Sequence, residues 1–236
     1  MVIQSIQFQS VKSGISHEVI FAGDNIRLAG QIDYPNDPVP ANGYPLLFIL
    51  PNACCTSRNG FKHHKQIGND AGFAVFRWDK RGTGRSASGS QGSAEQDAIK
   101  AYHTAINQAD IDPNRVVIWT QTDASLLLSE NYENFKHNQQ PIGIILSGNM
   151  LDEQAILKLD TRIFCLTGER DWNLASQFAI KATTTHEDHY KLGSRSYVAQ
   201  FADRKLIDTR NNLFHSGAKS IIQDWLTDLC PASTSI

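Results

Sequence analysis

Four short apolar runs constrain this chain more than any other feature: residues 46–50, 116–119, 142–146 and 163–167. A strand with one wet face alternates apolar and polar residues. A strand apolar at nearly every position needs cover on both faces, and parallel sheets flanked by helices supply it. Between the runs lie segments with helical spacing. Residues 61–70 end near Gly72, and residues 93–109 bring Ala98, Ala101, Tyr102, Ala105 and Ile106 to one face. Helices are also predicted over 124–132 and 216–229, and further strands over 73–78 and 196–201. Ahead of these, residues 17–32 read as two short strands about the turn Ala22-Gly23-Asp24-Asn25, followed by a Pro/Asn/Asp/Gly loop over 35–43. Alternating strands and helices imply a mainly parallel sheet with helices on both faces.

The whole chain, 1–236, reads as one domain with a frayed tail over 230–236. A formal net charge of −2 argues against a nucleic-acid binder, which carries a basic surface. No apolar run reaches the roughly 18 residues that cross a membrane. Residues 1–13 lack the basic-then-apolar order of a secretion signal, so the expected location is cytoplasmic. Cys54, Cys55, Cys165 and Cys230 show no disulfide framework and are expected to be free thiols. Cys54 and Cys55 read as buried small side chains or as a reactive thiol at a pocket rim. His63 and His64 fall on one helix in no standard zinc spacing, so no metal and no cofactor is implied. His186 and His189 lie in a polar stretch, 183–190, that reads as loop or short helix.

The most specific motif is Asp79-Lys80-Arg81-Gly82-Thr83-Gly84-Arg85-Ser86, directly after the strand over 73–78. It resembles the Asp-x-Arg-Gly-x-Gly-x-Ser loop of α/β-hydrolases, and the likeness extends over residues 17–229. Within it, Asp79, Arg81, Gly82 and Gly84 read as architecture: a strand-ending acid, a fork of donors for nearby carbonyls, and glycines where the backbone must turn. The resemblance implies an α/β-hydrolase fold of about eight strands with no large cap domain, since the interval between residues 146 and 163 is too short for a lid.

By the same resemblance, the loop after residue 50 carries the oxyanion donors, with the backbone of Ala53 or Cys54 supplying one. Pro51-Asn52 stands where the family carries His-Gly. The nucleophile elbow, Gly-x-Ser-x-Gly in the family, aligns with Thr120-Gln121-Thr122-Asp123-Ala124. Thr122 takes the serine position, and the backbone at Asp123 supplies the second oxyanion donor. A register one residue later makes Asp123 the nucleophile. Asp171, in Gly168-Glu169-Arg170-Asp171, matches the acid of the triad, and His215, just before the last helix, matches the base. The chain order Thr122, Asp171, His215 is that of the family.

Three functions follow. The first is hydrolysis or transfer of the acyl group of a small ester, thioester or amide by a Thr-His-Asp triad. The second is a catalytically degenerate protein that binds a small molecule. The third is a non-hydrolytic enzyme using the His/Asp pocket. The expected partner is a small-molecule substrate or ligand, in an open pocket or one closed by the second subunit of a homodimer.

Overall fold

The computed structural model describes residues 14–54, 57–172 and 175–231. Eight strands form one sheet in the order β1-β2-β4-β3-β5-β6-β7-β8. They are β1 (Ser16–Ala22), β2 (Arg27–Asp33), β3 (Tyr44–Leu50), β4 (Ala74–Asp79), β5 (Ile111–Gln121), β6 (Gly143–Ser147), β7 (Ile163–Gly168) and β8 (Arg195–Ala199). The β1–β2 and β2–β4 pairs are antiparallel, and every later pair is parallel. The central strands β3, β4, β6 and β7 are buried along their full length, as the apolar runs of β3, β6 and β7 require, while β4 also buries Arg77 and Asp79.

Side chains alternate between two cores. Leu46, Phe48, Ala74, Phe76, Val116 and Ile118 face one, closed by α2 (Ala94–Ile106) and α3 (Ala124–Asn138). Leu47, Ile49, Val75, Val117 and Trp119 face the other, closed by α1 (Lys62–Asp70) and α5 (Ser216–Leu229). The helix α4 (Ala175–Tyr190) packs on β7 and β8. A two-residue pairing of β9 (Ile207–Asp208) with β10 (Leu213–Phe214) precedes α5. Between β6 and β7 there is only a 3₁₀ turn, Ile156–Lys158, and no cap domain.

The structure corrects several boundaries. The stretch 183–190 is neither a loop nor a short helix but the second half of a 16-residue helix. His186 is buried there, its Nε2 2.6 Å from the Leu159 carbonyl and its Nδ1 3.0 Å from Ser194 Oγ. The strand β5 begins at Ile111 rather than Val116, and α3 runs on to Asn138.

The Asp79 loop is architecture. The Asp79 carboxylate is buried and accepts the Arg58 and Arg85 backbone N–H groups. Gly84 has φ 50°, and a Cβ there would lie 2.3 Å from the Asp79 carboxylate. Arg81 donates to the carbonyls of Gln91, Gly92, Asp24 and Ser93 and pairs with Asp97 at 2.7 Å. Gly82 also has positive φ, at 74°.

Cys54, Cys165 and Cys230 are free thiols, and Cys55 lies outside the described residues. Burial pushes the Cys165 thiol up to about 12 and the Cys230 thiol up to about 11, so neither ionises near neutrality. Cys54 is exposed, not buried as the sequence reading allowed. Among the described residues, no helix is long and apolar enough to cross a membrane.

Candidate active site

The strand β5 delivers Thr122 to the carboxyl edge of the sheet, where α3 begins two residues later. Thr122 has φ 52°, which a β-branched residue adopts only under strain of about 1–3 kcal/mol. The turn is held from both sides: Thr122 N–H donates to the Ser147 carbonyl at 2.8 Å, and its own carbonyl accepts from Ser125 N–H and Oγ. Asp123 has helical φ and ψ of −63° and −19°, so the tip of the elbow is Thr122, not Asp123.

The Thr122 hydroxyl donates to Asp123 Oδ1 at 2.7 Å and accepts from Asn52 Nδ2 at 3.3 Å. The other carboxylate oxygen, Asp123 Oδ2, accepts the Ala53 backbone N–H at 2.9 Å. The donor expected for an oxyanion therefore already serves a carboxylate. Lys80 Nζ binds the Asn52 and Cys54 carbonyls and ties the loop after β3 to the end of β4.

Asp171 follows β7, its side chain 2% exposed, with Arg204 Nε 3.8 Å from Oδ2. The Arg204 guanidinium also lies over the Trp172 ring, 5.2 Å from its centroid. Gly148, with φ 59°, makes room for the Arg204 stem. A Cβ there would sit 3.1 Å from Arg204 Cγ and 3.4 Å from Thr122 Cγ2. Arg204 thus stands beside the acid, and its stem and the Thr122 methyl both border the space at Gly148.

His215 is the N-cap of α5, its Nδ1 accepting the Ala218 N–H at 3.0 Å. Among the described residues, no hydrogen bond joins His215 to Thr122; the nearest ring is that of Tyr197, at 6.5 Å between centroids. Arg204 lies beside Asp171 and lines the same cleft as Thr122, and His215 caps α5. The sequence reading missed Arg204. It lies in the same interval between β8 and α5 as His215, and linear order does not choose between them.

The cleft in front of the elbow has a volume of about 540 Å³, and Thr122, Asp123, Met150, Trp172, Arg204 and Lys205 are among its walls. A second pocket of about 350 Å³ adjoins it, the two sharing Asn52, Ala53 and Asp123.

His64, next to the cleft, is buried against Trp119, with ring centroids 4.3 Å apart, and its Nε2 is 2.9 Å from Gln121 Nε2. Burial, then the charges of His63 and Arg77, push its pKa down to about 3. Below its ordinary value near 6.5, the unfolded chain takes up a proton that the folded chain refuses. This contribution to stability is therefore complete above about pH 6.5 and is lost as pH falls towards 3. His64→Phe is expected to remove up to about 1.4 kcal/mol per pH unit of that slope between pH 4 and 6, read by urea denaturation. An unchanged slope would mean that His64 is charged in the folded state. His63 leans on Phe214, and among the described residues no three His, Cys, Asp or Glu side chains gather as a metal site requires.

No family model matches this sequence, nor does any curated protein. Solved structures do match. A predicted CIB-like hydrolase of Thermoplasma acidophilum aligns over 91% of this chain and 99% of its own, with a TM-score of 0.64 and 15% identity. A Pyrococcus furiosus esterase aligns over 92% and 91%, with a TM-score of 0.68 and 12% identity. A hyperthermophilic esterase of Pyrobaculum calidifontis aligns over 93% and 85%, with a TM-score of 0.69 and 10% identity. With its strand order, elbow and near-complete overlap with these chains, the protein has the α/β-hydrolase fold.

Proposed function

We propose that this protein binds a small organic molecule at the elbow and does not cleave it by hydroxyl attack. The observation that carries this reading is the Asp123 carboxylate, bonded at once to the Thr122 hydroxyl and the Ala53 N–H. Acyl transfer from a hydroxyl needs N–H donors where negative charge develops. A carboxylate at that place opposes the charge instead: two unit charges about 4 Å apart repel by about 4 kcal/mol at an effective dielectric of about 20. Arg204, beside Asp171, adds to this, because a guanidinium stays protonated and cannot take the hydroxyl proton.

Acyl hydrolysis is the second reading, favoured by the strained elbow that Thr122 keeps at φ 52° and by the esterases among the structural neighbours. In it Thr122 attacks an ester, thioester or amide, His215 leaves its cap to act as base, and Asp171 orients it. Labelling with a fluorophosphonate probe separates the two. Wild-type protein is expected to remain unlabelled, and Thr122→Ser to label little. Labelling that disappears in both Thr122→Ala and His215→Ala would establish hydrolysis and end the binding reading.

A further inference from the structure

The pocket beyond the elbow is apolar in a way its residue types conceal. Leu50, Trp78, Ala94, Ala98, Ala124 and Leu127 line it, and so do Lys80, Arg81 and Asp97. The charged groups are turned to other partners. Arg81 Nε binds Asp97 at 2.7 Å, and the Lys80 ammonium binds the Asn52 and Cys54 carbonyls. What remains for an occupant is hydrocarbon wall.

The cleft on the near side of Asn52, Ala53 and Asp123 has the opposite character. Its cations are Arg170, Arg204 and Lys205, and its anions are Asp123 and Asp203. Both anions keep their charge, against three cations, and are bonded within the fold. Asp123 uses its two oxygens on Thr122 and Ala53, and Asp203 accepts the Lys205 and Ile207 N–H groups. Arg204 differs: its Nε and Nη2 are buried with no hydrogen-bond partner among the described residues. The 3.8 Å to Asp171 is attraction without a hydrogen bond. Buried donors without acceptors are rare and costly. The side chain lines the cleft, and Gly148 leaves the space that its stem fills.

Resting on the binding reading above, we propose that the ligand is an amphipathic organic acid. Its carboxylate is received by the Arg204 guanidinium in the cleft, and its hydrocarbon chain crosses Asn52 and Asp123 into the pocket walled by Trp78, Ala98 and Leu127. A guanidinium presents paired donors that match a carboxylate, and a charge-assisted pair of this kind is about twice as strong as a neutral hydrogen bond. The chain gains by leaving water for the apolar wall, more with each methylene buried.

Octanoate, 1-octanol and acetate titrated into the wild-type protein, followed by calorimetry, test this without any variant. Octanoate is expected to bind at least about tenfold more tightly than either of the others. Equal binding of octanol removes the anion anchor, equal binding of acetate removes the chain pocket, and no binding of octanoate removes both; each overturns the proposal. Arg204→Met is expected to bring octanoate down to the affinity of octanol and leave octanol unchanged. Turnover of 4-nitrophenyl octanoate, measured in parallel, bears on the other reading. Thr122-dependent hydrolysis with no octanoate selectivity defeats both ideas. No hydrolysis and no selectivity defeats only the carboxylate site.

Discussion

A Thr122→Ser, Asp123→Gly, Arg204→His variant is expected to hydrolyse 4-nitrophenyl esters about 10²-fold or more faster than the wild type, because each change reverses one defect of the elbow. Serine removes the methyl that lies 3.4 Å from where a Cβ at Gly148 would sit. Glycine at 123 releases the Ala53 N–H for an oxyanion and removes the opposing charge. The backbone there, at φ −63°, suits any residue, so the change does not strain the start of α3. Histidine at 204 places a titratable base beside Asp171, on the wall of the cleft that holds Thr122. A positioned base contributes about 10²–10⁴-fold, and the three parts act as a unit, so the single variants are expected to gain little. The check is kcat/KM for the triple variant against each single one. A triple variant no faster than Thr122→Ser would mean that position 204 is not where a base can serve this elbow.

Asp33→Ala is expected to cost about 3–5 kcal/mol, the largest stability loss foreseen from a single change. Asp33 is 1% exposed at the end of β2, where Arg77 reaches Oδ2 through Nε at 3.0 Å and Nη2 at 2.6 Å. Ser16 and Gln31 donate to Oδ1. Burial pushes the carboxyl pKa up, but the Ser16 hydrogen bond, the Arg77 charge and the other bonds outweigh it and hold the pKa below the usual range. Deleting the carboxylate leaves the Arg77 guanidinium buried without its counter-charge. For a chain of this size the loss corresponds to a fall in Tm of roughly 6–20 °C. Because the folded pKa is depressed, the contribution is present above about pH 4 and is lost as pH falls through the folded value, so the variant and the wild type should converge in acid. Lys65→Ala is the control: Lys65 lies 3.4 Å from the same carboxylate but is 38% exposed, and its removal should cost under about 1 kcal/mol. A loss for Asp33→Ala no greater than for Lys65→Ala would show that Arg77 finds another acceptor.

Much of the fold was legible in the residues themselves. Burial on both faces favours apolar side chains at nearly every position, so β3, β6 and β7 appear as apolar runs, while β4 keeps Arg77 and Asp79 because each has buried partners. The strand-to-helix elbow was legible from Val116 to Leu128, because small residues are needed where α3 starts against β5. The helix α4 was less so. Its second half, Thr-Thr-Thr-His-Glu-Asp-His, has weak helical propensity, and it is held by contacts that linear order does not reveal: Ala182 in the core, and the His186 ring between Leu159 and Ser194.

The site divides in the same way. The positions of Thr122 and Asp171 follow from local signals, since each comes within three residues of the end of a strand whose apolar run marks it. Which side chain fills the gap between them is a long-range matter. Arg204 and His215 stand in one interval between β8 and α5, on either side of the β9–β10 pairing, and the sequence makes the histidine attractive because its chemistry suits a base. The β9–β10 pairing and the space left by Gly148 go with an Arg204 placed beside Asp171, and His215 caps its own helix. Residue type and period determine which segments are buried and where they end, because burial is priced one residue at a time. Which groups meet across a cleft depends on how several loops fold over the sheet at once, and only the tertiary structure decides that.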